Sequence, residues 1–222
     1  MNEVFTDNSA GRYIVIEGND GTGKSTQIDL LAKYFQERGD EVCVVEEPGS
    51  DDPDKATPSA NELRRLIKNG SLERSPEINL GLFSAARGEL WREKIQPALG
   101  RGAIVLSSRN YYSSLAYQGR GEGMDESEIL RMTRIFTDER YMKPDVAIIL
   151  TLNDEKRVER IGHRGDLDHP DTFESRDDDF QARVNRAYVE IAEQYDIVTV
   201  DASGAVDEVQ GVILEIVGKN RS

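Results

Sequence analysis

Residues 18–25 constrain the fold of this chain more than any other segment, because they read GNDGTGKS and match the pattern G-x-x-x-x-G-K-[ST]. Directly before them lies YIVIE at 13–17, an apolar run of strand length. Directly after them, residues 24–38 place apolar side chains on one helical face and stop at Gly39, a residue type typical of the position just past a helix end. The sequence therefore predicts a strand, a glycine-rich turn and a helix in immediate succession.

This turn has the composition of a phosphate-binding site. Gly18, Gly21 and Gly23 let successive backbone N–H groups converge on one anion, and the positive end of the following helix adds to the attraction. Lys24 brings a mobile charge to the β- and γ-phosphates, and the Ser25 hydroxyl is a suitable ligand for Mg²⁺. No N-K-x-D sequence for guanine recognition is present, so we predict an ATP site. Its predicted residues are Gly18, Asn19, Asp20, Gly21, Thr22, Gly23, Lys24, Ser25 and Thr26.

Continuous rather than alternating apolar runs recur along the chain, which indicates strands buried on both faces of a parallel sheet. The predicted strands are 13–17, 41–46, 103–107, 145–152 and 196–201. The predicted helices are 24–38, 59–69, 79–99, 126–140, 154–161, 176–195 and 204–218. We expect an α/β fold of the P-loop NTPase type, a three-layer sandwich with a five-stranded parallel sheet and helices on both faces.

The charge of the chain limits its partners. Acidic side chains number 42 against 28 basic ones, giving a formal charge of −14 that repels nucleic acid and anionic lipid. A bound anion must therefore meet a local cluster of cations. The single Cys43 excludes an intramolecular disulfide, the first residues lack the pattern of a secretory signal, and no apolar run approaches the ~20 residues that span a bilayer. We expect a soluble cytoplasmic protein.

Further motifs connect the chain to a known family. They are E-P-G at 47–49, F-S-A-A-R at 83–87, S-S-R-N-Y-Y-S-S-L-A-Y-Q-G at 107–119 and D-F-Q-A-R-V-N-R-A-Y-V-E-I-A at 179–192. Together with the glycine-rich turn, they resemble the thymidylate kinase family over nearly the whole chain, from Tyr13 to about Val217. The resemblance implies an ATP- and Mg²⁺-dependent enzyme that phosphorylates dTMP to dTDP in dTTP synthesis, and a homodimer.

The resemblance also implies how the chain is organised. We expect a single nucleoside monophosphate kinase-like domain over 1–222, with a core formed by 12–161 and 176–218. The segment 162–175 mixes glycine, proline and charge between two helical patterns, and we expect a short lid there. The other irregular segment, 48–58, holds three prolines and is expected to be either an exposed loop or part of the site.

The resemblance implies roles for residues of the acceptor site. Phe83 would stack on the thymine ring, and Arg87, one helical turn on, would reach a base carbonyl. Arg109 would hold the acceptor phosphate, with Arg64 joining it. Asp20 would accept a hydrogen bond from the sugar 3′-hydroxyl or lie near the metal with Ser25. The remaining expected contacts come from Glu47 and Pro48 in the floor, Ser114, and Tyr117 and Gln118 over the sugar and base.

These residue types also have simpler explanations. Phe83 and Tyr117 could be ordinary core residues, and Arg64 or Arg87 could form surface ion pairs. The base-site assignments therefore depend on the resemblance.

In the family, the residue at position 21 is either an arginine that reaches the transferred phosphoryl group or a glycine. Because this chain has Gly21, the resemblance implies that the lid supplies the cations. Arg160 and Arg164 are the expected catalytic arginines beside Lys24 and Arg109, with Arg176 a weaker candidate. The alternative is a solvated charged loop.

Four positions depart from the family pattern. Ser108 stands where Asp-Arg-Tyr would begin, Ala86 and Glu46 replace an acid and an arginine, and residues 171–174 replace D-R-x-E. Two rival hypotheses stay open, the first from the position of Glu47 at the end of the second predicted strand and the second from Ser108. One is a nucleoside kinase with Glu47 as the general base, and the other is a nucleotide-binding protein without catalysis, because the missing aspartate commonly contributes to metal coordination.

Overall fold

The computed structural model describes residues 11–162 and 176–219. The strands are β1 Arg12–Gly18, β2 Val42–Glu46, β3 Ile104–Ser108, β4 Val146–Thr151 and β5 Val198–Asp201. The helices are α1 Lys24–Gln36, α2 Pro58–Lys68, α3 Pro76–Leu90, α4 Gln96–Gly100, α5 Tyr111–Ser114, α6 Glu126–Phe136, α7 Glu139–Met142, α8 Asp154–Gly162, α9 Asp178–Gln194 and α10 Val206–Lys219. Most of the predicted lid, residues 163–175 with Arg164, lies outside the described residues.

The five strands form one parallel sheet in the order β2-β3-β1-β4-β5, which confirms the predicted fold class. Residue Ser108 of β3 lies in register with Ile16 of β1 on one side and with Glu46 of β2 on the other. Gly18 of β1 pairs with Leu150 of β4. The carboxyl ends of four strands therefore meet at one edge of the sheet, where ligands bind in open α/β folds.

Helices cover both faces of this sheet because successive strand residues point to opposite sides. Tyr13 and Val15 of β1 pack into a core shared with α2, α3, α6 and α9. Ile14 and Ile16 pack into a second core, which α1 and α10 complete. Full burial of one such isoleucine contributes about 1.5–3 kcal/mol. The predicted three-layer sandwich is confirmed, and Gly39 after α1 has the expected left-handed conformation, with φ of +86°.

Two predicted helices differ from the structure. The predicted helix over 79–99 begins earlier, at Pro76, and a π turn at Trp91–Ile95 separates α3 from α4. The predicted helix over 126–140 is divided into α6 and α7, because the Asp138 side chain accepts hydrogen bonds from the N–H groups of Arg140 and Tyr141 and so begins a new helix.

A helical segment that the sequence did not predict follows β3. It consists of α5 and a π turn at Leu115–Gly121. Its first turn is held by a distant residue: the buried Glu17 carboxylate accepts hydrogen bonds from the N–H groups of Asn110 and Ser113.

The exposed-loop alternative for 48–58 is wrong in part, since Gly49 and Ser50 are buried and the Ser50 hydroxyl donates to Glu46 at 2.8 Å. A 3₁₀ turn at Pro53–Lys55 follows. Within the described part of the chain, none of the helices has the length and apolarity needed to cross a bilayer.

Candidate active site

The glycine-rich turn follows the end of β1 and reverses direction at its glycines. Gly18, Gly21 and Gly23 all have positive φ, of 137°, 86° and 90°. A side chain could not replace Gly18, because its Cβ would lie 2.5 Å from the Leu150 carbonyl oxygen. Lys24 is buried and its Nζ donates to the Asn19 carbonyl oxygen at 3.0 Å. The predicted phosphate residues therefore form one continuous loop that leads into α1.

A cavity lies beside this loop on the side of α8 and α10. The loop contributes Gly21, Thr22, Gly23 and Thr26 to its wall. The predicted catalytic Arg160 also lines it, and its Nη2 donates to the Ala202 carbonyl oxygen at 2.8 Å. The structure therefore brings Arg160 to the phosphate loop. The weaker candidate Arg176 instead pairs with Glu122 at 2.5 Å.

A second cavity, which we call the acceptor cleft, opens on the other side of the loop at the ends of β2 and β3. Nine of the ten residues predicted to bind the acceptor line it, namely Asp20, Glu47, Pro48, Arg64, Phe83, Arg109, Ser114, Tyr117 and Gln118. The wall also contains residues that were not predicted for the site, namely Glu46, Gly49, Ile67, Lys68 and Ser113. The predicted residue that is not in the wall is Arg87.

Arg109 joins the acceptor cleft to the phosphate loop. It has a left-handed backbone conformation, with φ of +73°, and its N–H donates to the Ile16 carbonyl oxygen at 3.1 Å. From there its Nη1 donates to the Gly18 carbonyl oxygen at 3.1 Å and to the Tyr188 hydroxyl at 3.0 Å. Its Nη2 forms an ion pair with Asp20. The left-handed conformation of Arg109 costs about 1–3 kcal/mol, and it directs the guanidinium toward the start of the phosphate loop at Gly18.

Asp20 is held as a carboxylate by its neighbours. Burial would raise the pKa of Asp20, but the charges of Arg109 and Lys24 and a hydrogen bond from Tyr117 outweigh it, so that the pKa lies well below its ordinary value of 3.8. The Tyr117 hydroxyl lies 3.1 Å from Asp20 and 2.9 Å from the Asn19 side-chain oxygen. Asp20 is therefore ionised at any physiological pH.

Glu17 supports the site from below and was missed by the sequence analysis. It is fully buried at the end of β1, and it accepts from the Ser113 hydroxyl at 2.8 Å and the Tyr188 hydroxyl at 3.1 Å, besides the two N–H groups at the start of α5. An acid inside an apolar strand sequence was the available signal, because a buried carboxylate needs several donors. Glu17 fixes the start of the helical segment, α5 and the π turn after it, that carries Ser113, Ser114 and Tyr117.

Arg87 lies beneath the acceptor cleft rather than in its wall. Only 2% of it is exposed. Its Nε donates to Glu47 at 3.0 Å and its Nη2 to the Ser114 hydroxyl at 3.1 Å, whereas Nη1 is buried without a hydrogen-bond partner. Glu47 also accepts from the Tyr141 hydroxyl at 2.5 Å. Burial raises the pKa of Glu47, against the lowering effect of the Arg87 charge.

Arg64 reaches the cleft in an ion pair. Its Nη1 lies 2.6 Å and its Nη2 3.1 Å from the two carboxylate oxygens of Asp51, a residue that the sequence analysis did not consider. Because Asp51 is exposed, its pair with Arg64 is weak, and an incoming phosphate can compete for a guanidinium that is already in place.

The residues predicted for Mg²⁺ suit an ion that takes several of its ligands from phosphate groups. Ser25 is exposed in the first turn of α1, and Asp20 is ionised nearby, 4.0 Å from Lys24. Among the described residues, no three His, Cys, Asp or Glu side chains gather to hold a metal by themselves. Since Mg²⁺ usually keeps waters and takes substrate phosphates as ligands, the residues present fit Mg²⁺ that arrives with the nucleotide.

A parallel sheet with a phosphate loop after its first strand, and an arginine-bearing cleft beside that loop, defines a nucleotide-dependent phosphotransferase of the P-loop class. The family model "Thymidylate kinase" matches residues 16–213. The chain therefore belongs to the thymidylate kinase family, which confirms the resemblance and the predicted kinase activity.

Curated relatives agree with this family over most of their length. A thymidylate kinase of Exiguobacterium sp. is 34% identical over 209 residues, which cover 93% of each chain. The thymidylate kinase of Colwellia psychrerythraea is 36% identical over 214 residues, covering 95% of this chain and 96% of its own. That of Caldicellulosiruptor saccharolyticus is 34% identical over 200 residues, covering 90% and 92%.

Proposed function

We propose that this chain transfers the γ-phosphoryl group of ATP to the phosphate of dTMP, giving dTDP and ADP. The observation that carries the proposal is the position of Arg109, whose guanidinium contacts the Gly18 carbonyl oxygen of the phosphate loop and also lines the acceptor cleft. One cation thus lies where the donor and acceptor phosphates have to meet.

The transfer needs no general base. The second pKa of a phosphate monoester is near ~6, so the acceptor is already mostly dianionic at neutral pH. The protein has to position two anions and offset their charge. In our proposal Lys24 and Arg160 bind the donor phosphates, Arg109 and Arg64 bind the acceptor phosphate, and Phe83 and Tyr117 enclose the nucleoside.

The contacts of Glu47 disfavour the nucleoside kinase alternative. A base that deprotonates a substrate hydroxyl has to turn an unoccupied lone pair toward the cleft, and each hydrogen bond to the protein leaves fewer of them. One oxygen of Glu47 accepts from Arg87 and the other from Tyr141. We therefore assign Glu47 to holding Arg87 beneath the cleft.

The metal site is proposed to differ from the family pattern. Ser108 offers no carboxylate at the end of β3, and the nearest ionised acid in the loop is Asp20. We propose that Ser25 contributes the ligand from the loop and that Asp20 binds through water. When bound, Mg²⁺ neutralises charge on the β- and γ-phosphates.

The test is a coupled assay of ADP release with ATP and Mg²⁺ and with dTMP, dUMP, dGMP, dCMP, UMP or thymidine as acceptor. The proposal requires dTMP to have the highest kcat/KM. A preference for thymidine over dTMP would support the nucleoside kinase instead.

ATP binding without ADP release for any acceptor would support the non-catalytic alternative, and the variant Ser108→Asp should then gain turnover. A wild-type protein that is already fast excludes that alternative.

We also propose a homodimer. Large apolar side chains are exposed on α2, α3 and α6, where Leu66, Ile78 and Ile135 are 40%, 56% and 60% exposed. A second copy would remove this surface from water. Sedimentation equilibrium at micromolar concentration is the measurement, and a monomer mass throughout would contradict the proposal. The single domain and the cytoplasmic location stay predictions.

A further inference from the structure

Arg157 of α8 is a buried cation that none of the assigned roles uses. Only 5% of it is exposed, and its Nε is buried without a hydrogen-bond partner. Among the described residues, the one acid within ion-pair distance is Asp154, at 3.6 Å from Nε, and the side chain of Asp154 is 53% exposed. That carboxylate already accepts from the Asn185 amide at 3.2 Å. A buried guanidinium with so little compensation is costly unless an anion binds to it.

The stem of Arg157 lies against the phosphate loop. A Cβ placed on Gly21 would lie 3.2 Å from the Arg157 Cγ, 3.2 Å from its carbonyl oxygen and 3.2 Å from Ile161. The first turns of α8 therefore pack directly on the loop residue that precedes Thr22, Gly23 and Lys24. This packing fixes the stem of the Arg157 side chain beside the phosphate loop.

Asp154, the ion-pair partner of Arg157, connects α8 to α9. Asn185, which contacts Asp154 and the Leu152 carbonyl oxygen, lies one helical turn before Tyr188 on the same face of α9. The Tyr188 hydroxyl contacts Arg109 at 3.0 Å. Arg157 thus lies against the donor loop at Gly21 and is joined, through Asp154 and Asn185, to the face of α9 whose Tyr188 contacts Arg109.

We propose that Arg157 is a catalytic residue that binds the phosphoryl group during its transfer; this inference rests on the proposed function. In the transfer the bond from the γ-phosphorus to the β,γ-bridging oxygen of ATP breaks and a bond to an acceptor phosphate oxygen forms. Negative charge spreads over three equatorial oxygens, to which a planar guanidinium donates two parallel hydrogen bonds.

The experiment compares Arg157→Ala, Arg157→Lys and the control Lys156→Ala in the ADP-release assay at saturating ATP and dTMP. Lys156 is exposed on the same helix and carries the same charge, so its removal matches the change in net charge. For Arg157→Ala we expect kcat to fall on the order of 10²–10³-fold with both KM values within threefold, because the contact forms only in the transition state. Lys156→Ala should keep wild-type kcat.

Two further readouts separate catalysis from folding. Arg157→Lys retains the stem that covers Gly21 and one charge but lacks the planar fork, so it should fold as the wild type does and lose about tenfold in kcat. Guanidinium ion at millimolar concentration should restore part of the kcat of Arg157→Ala and leave Lys156→Ala unchanged. Binding of ADP with aluminium fluoride and dTMP should weaken in Arg157→Ala, whereas binding of ADP alone should not.

The outcomes are distinguishable. If the wild type is active on dTMP and Arg157→Ala keeps kcat within threefold, or loses only affinity for ATP, Arg157 is not a catalytic residue and the proposed function stands. A wild type that is inactive with every monophosphate overturns both the proposed function and this inference.

Discussion

At the scale of single residues, Arg109 connects the two halves of the site through its backbone as much as through its charge. An arginine with φ of +73° is unfavourable by itself, and the conformation persists because the N–H group and the guanidinium are both bonded. This strain allows a test of the residue. Glycine and alanine both remove the side chain, but only glycine adopts a positive φ without strain.

We expect Arg109→Ala to lower kcat/KM for dTMP by at least ~3 kcal/mol, or more than a hundredfold, because a charge-assisted phosphate contact is lost. Arg109→Gly should have the same kinetic defect but should unfold at a higher temperature than Arg109→Ala, since glycine adopts positive φ without strain. A kinetic loss below tenfold in Arg109→Ala would remove this residue from the phosphate site.

The lowered pKa of Asp20 predicts a pH dependence of stability. A carboxyl whose folded-state pKa is lowered stabilises the protein above its ordinary pKa of 3.8, and the contribution is lost as the pH falls below that value. We expect Asp20→Asn to lose about 1–3 kcal/mol of unfolding free energy at pH 7. The loss should be constant from pH 8 to pH 5 and should shrink below the ordinary pKa.

The matched control for this prediction is Asp51→Asn. It breaks the carboxylate pair with Arg64 at an exposed position, where such pairs contribute little. Chemical denaturation at a series of pH values measures both variants. A loss for Asp20→Asn that grows on acidification between pH 8 and pH 5 would contradict the assignment.

At the scale of secondary-structure elements, the site depends on helices that meet at the end of β1. Glu17 at that end accepts hydrogen bonds from the start of α5 and from Tyr188 of α9. The phosphate loop follows one residue later, and α8 packs on it at Gly21. The Tyr188 hydroxyl therefore joins α9 to both Glu17 and Arg109.

Tyr188→Phe should show this coupling. The variant deprives the buried Glu17 of one donor and Arg109 of one acceptor, so we expect a loss of about 1–2 kcal/mol of stability and a fall in kcat/KM for dTMP. The control is Tyr195→Phe just past the end of α9, where the hydroxyl donates to Glu126 away from the cleft. Equal kinetic effects of the two variants would refute the coupling.

At the scale of the whole molecule, the excess of acidic side chains opposes folding through repulsion. The formal charge is −14, and the described cations of the site are gathered at one edge of the sheet. Repulsion between exposed carboxylates acts over several ångströms and is screened by salt, whereas buried pairs such as Arg87 with Glu47 are screened much less.

Raising the salt concentration from 0.05 to 0.5 M should therefore raise the midpoint of thermal unfolding of the ligand-free protein, by about 2–4 °C for each ~1 kcal/mol of repulsion removed. Differential scanning calorimetry in NaCl, KCl and choline chloride makes the measurement. Equal shifts in the three salts identify screening, and a midpoint that falls with salt would show that the surface ion pairs dominate.

The glycine-rich turn, the five strands and the two-sided burial of the sheet were determined by the sequence itself, because each is encoded within a few consecutive residues. The family motifs also identified side chains such as Phe83 and Tyr117 as candidates for the site, and the fold brings them into one cleft.

Only the tertiary structure decided how these groups are held. Glu17 contacts residues more than 90 positions away, Arg87 lies under the cleft with Glu47, Arg64 meets Asp51, and Arg157 lies against Gly21. Contacts of this kind depend on how helices pack at the carboxyl end of a parallel sheet, and no local spacing encodes that packing. Burial then decides which charged side chains need a partner of opposite charge. Where the protein offers no such partner to a buried cation, a substrate phosphate has to provide it.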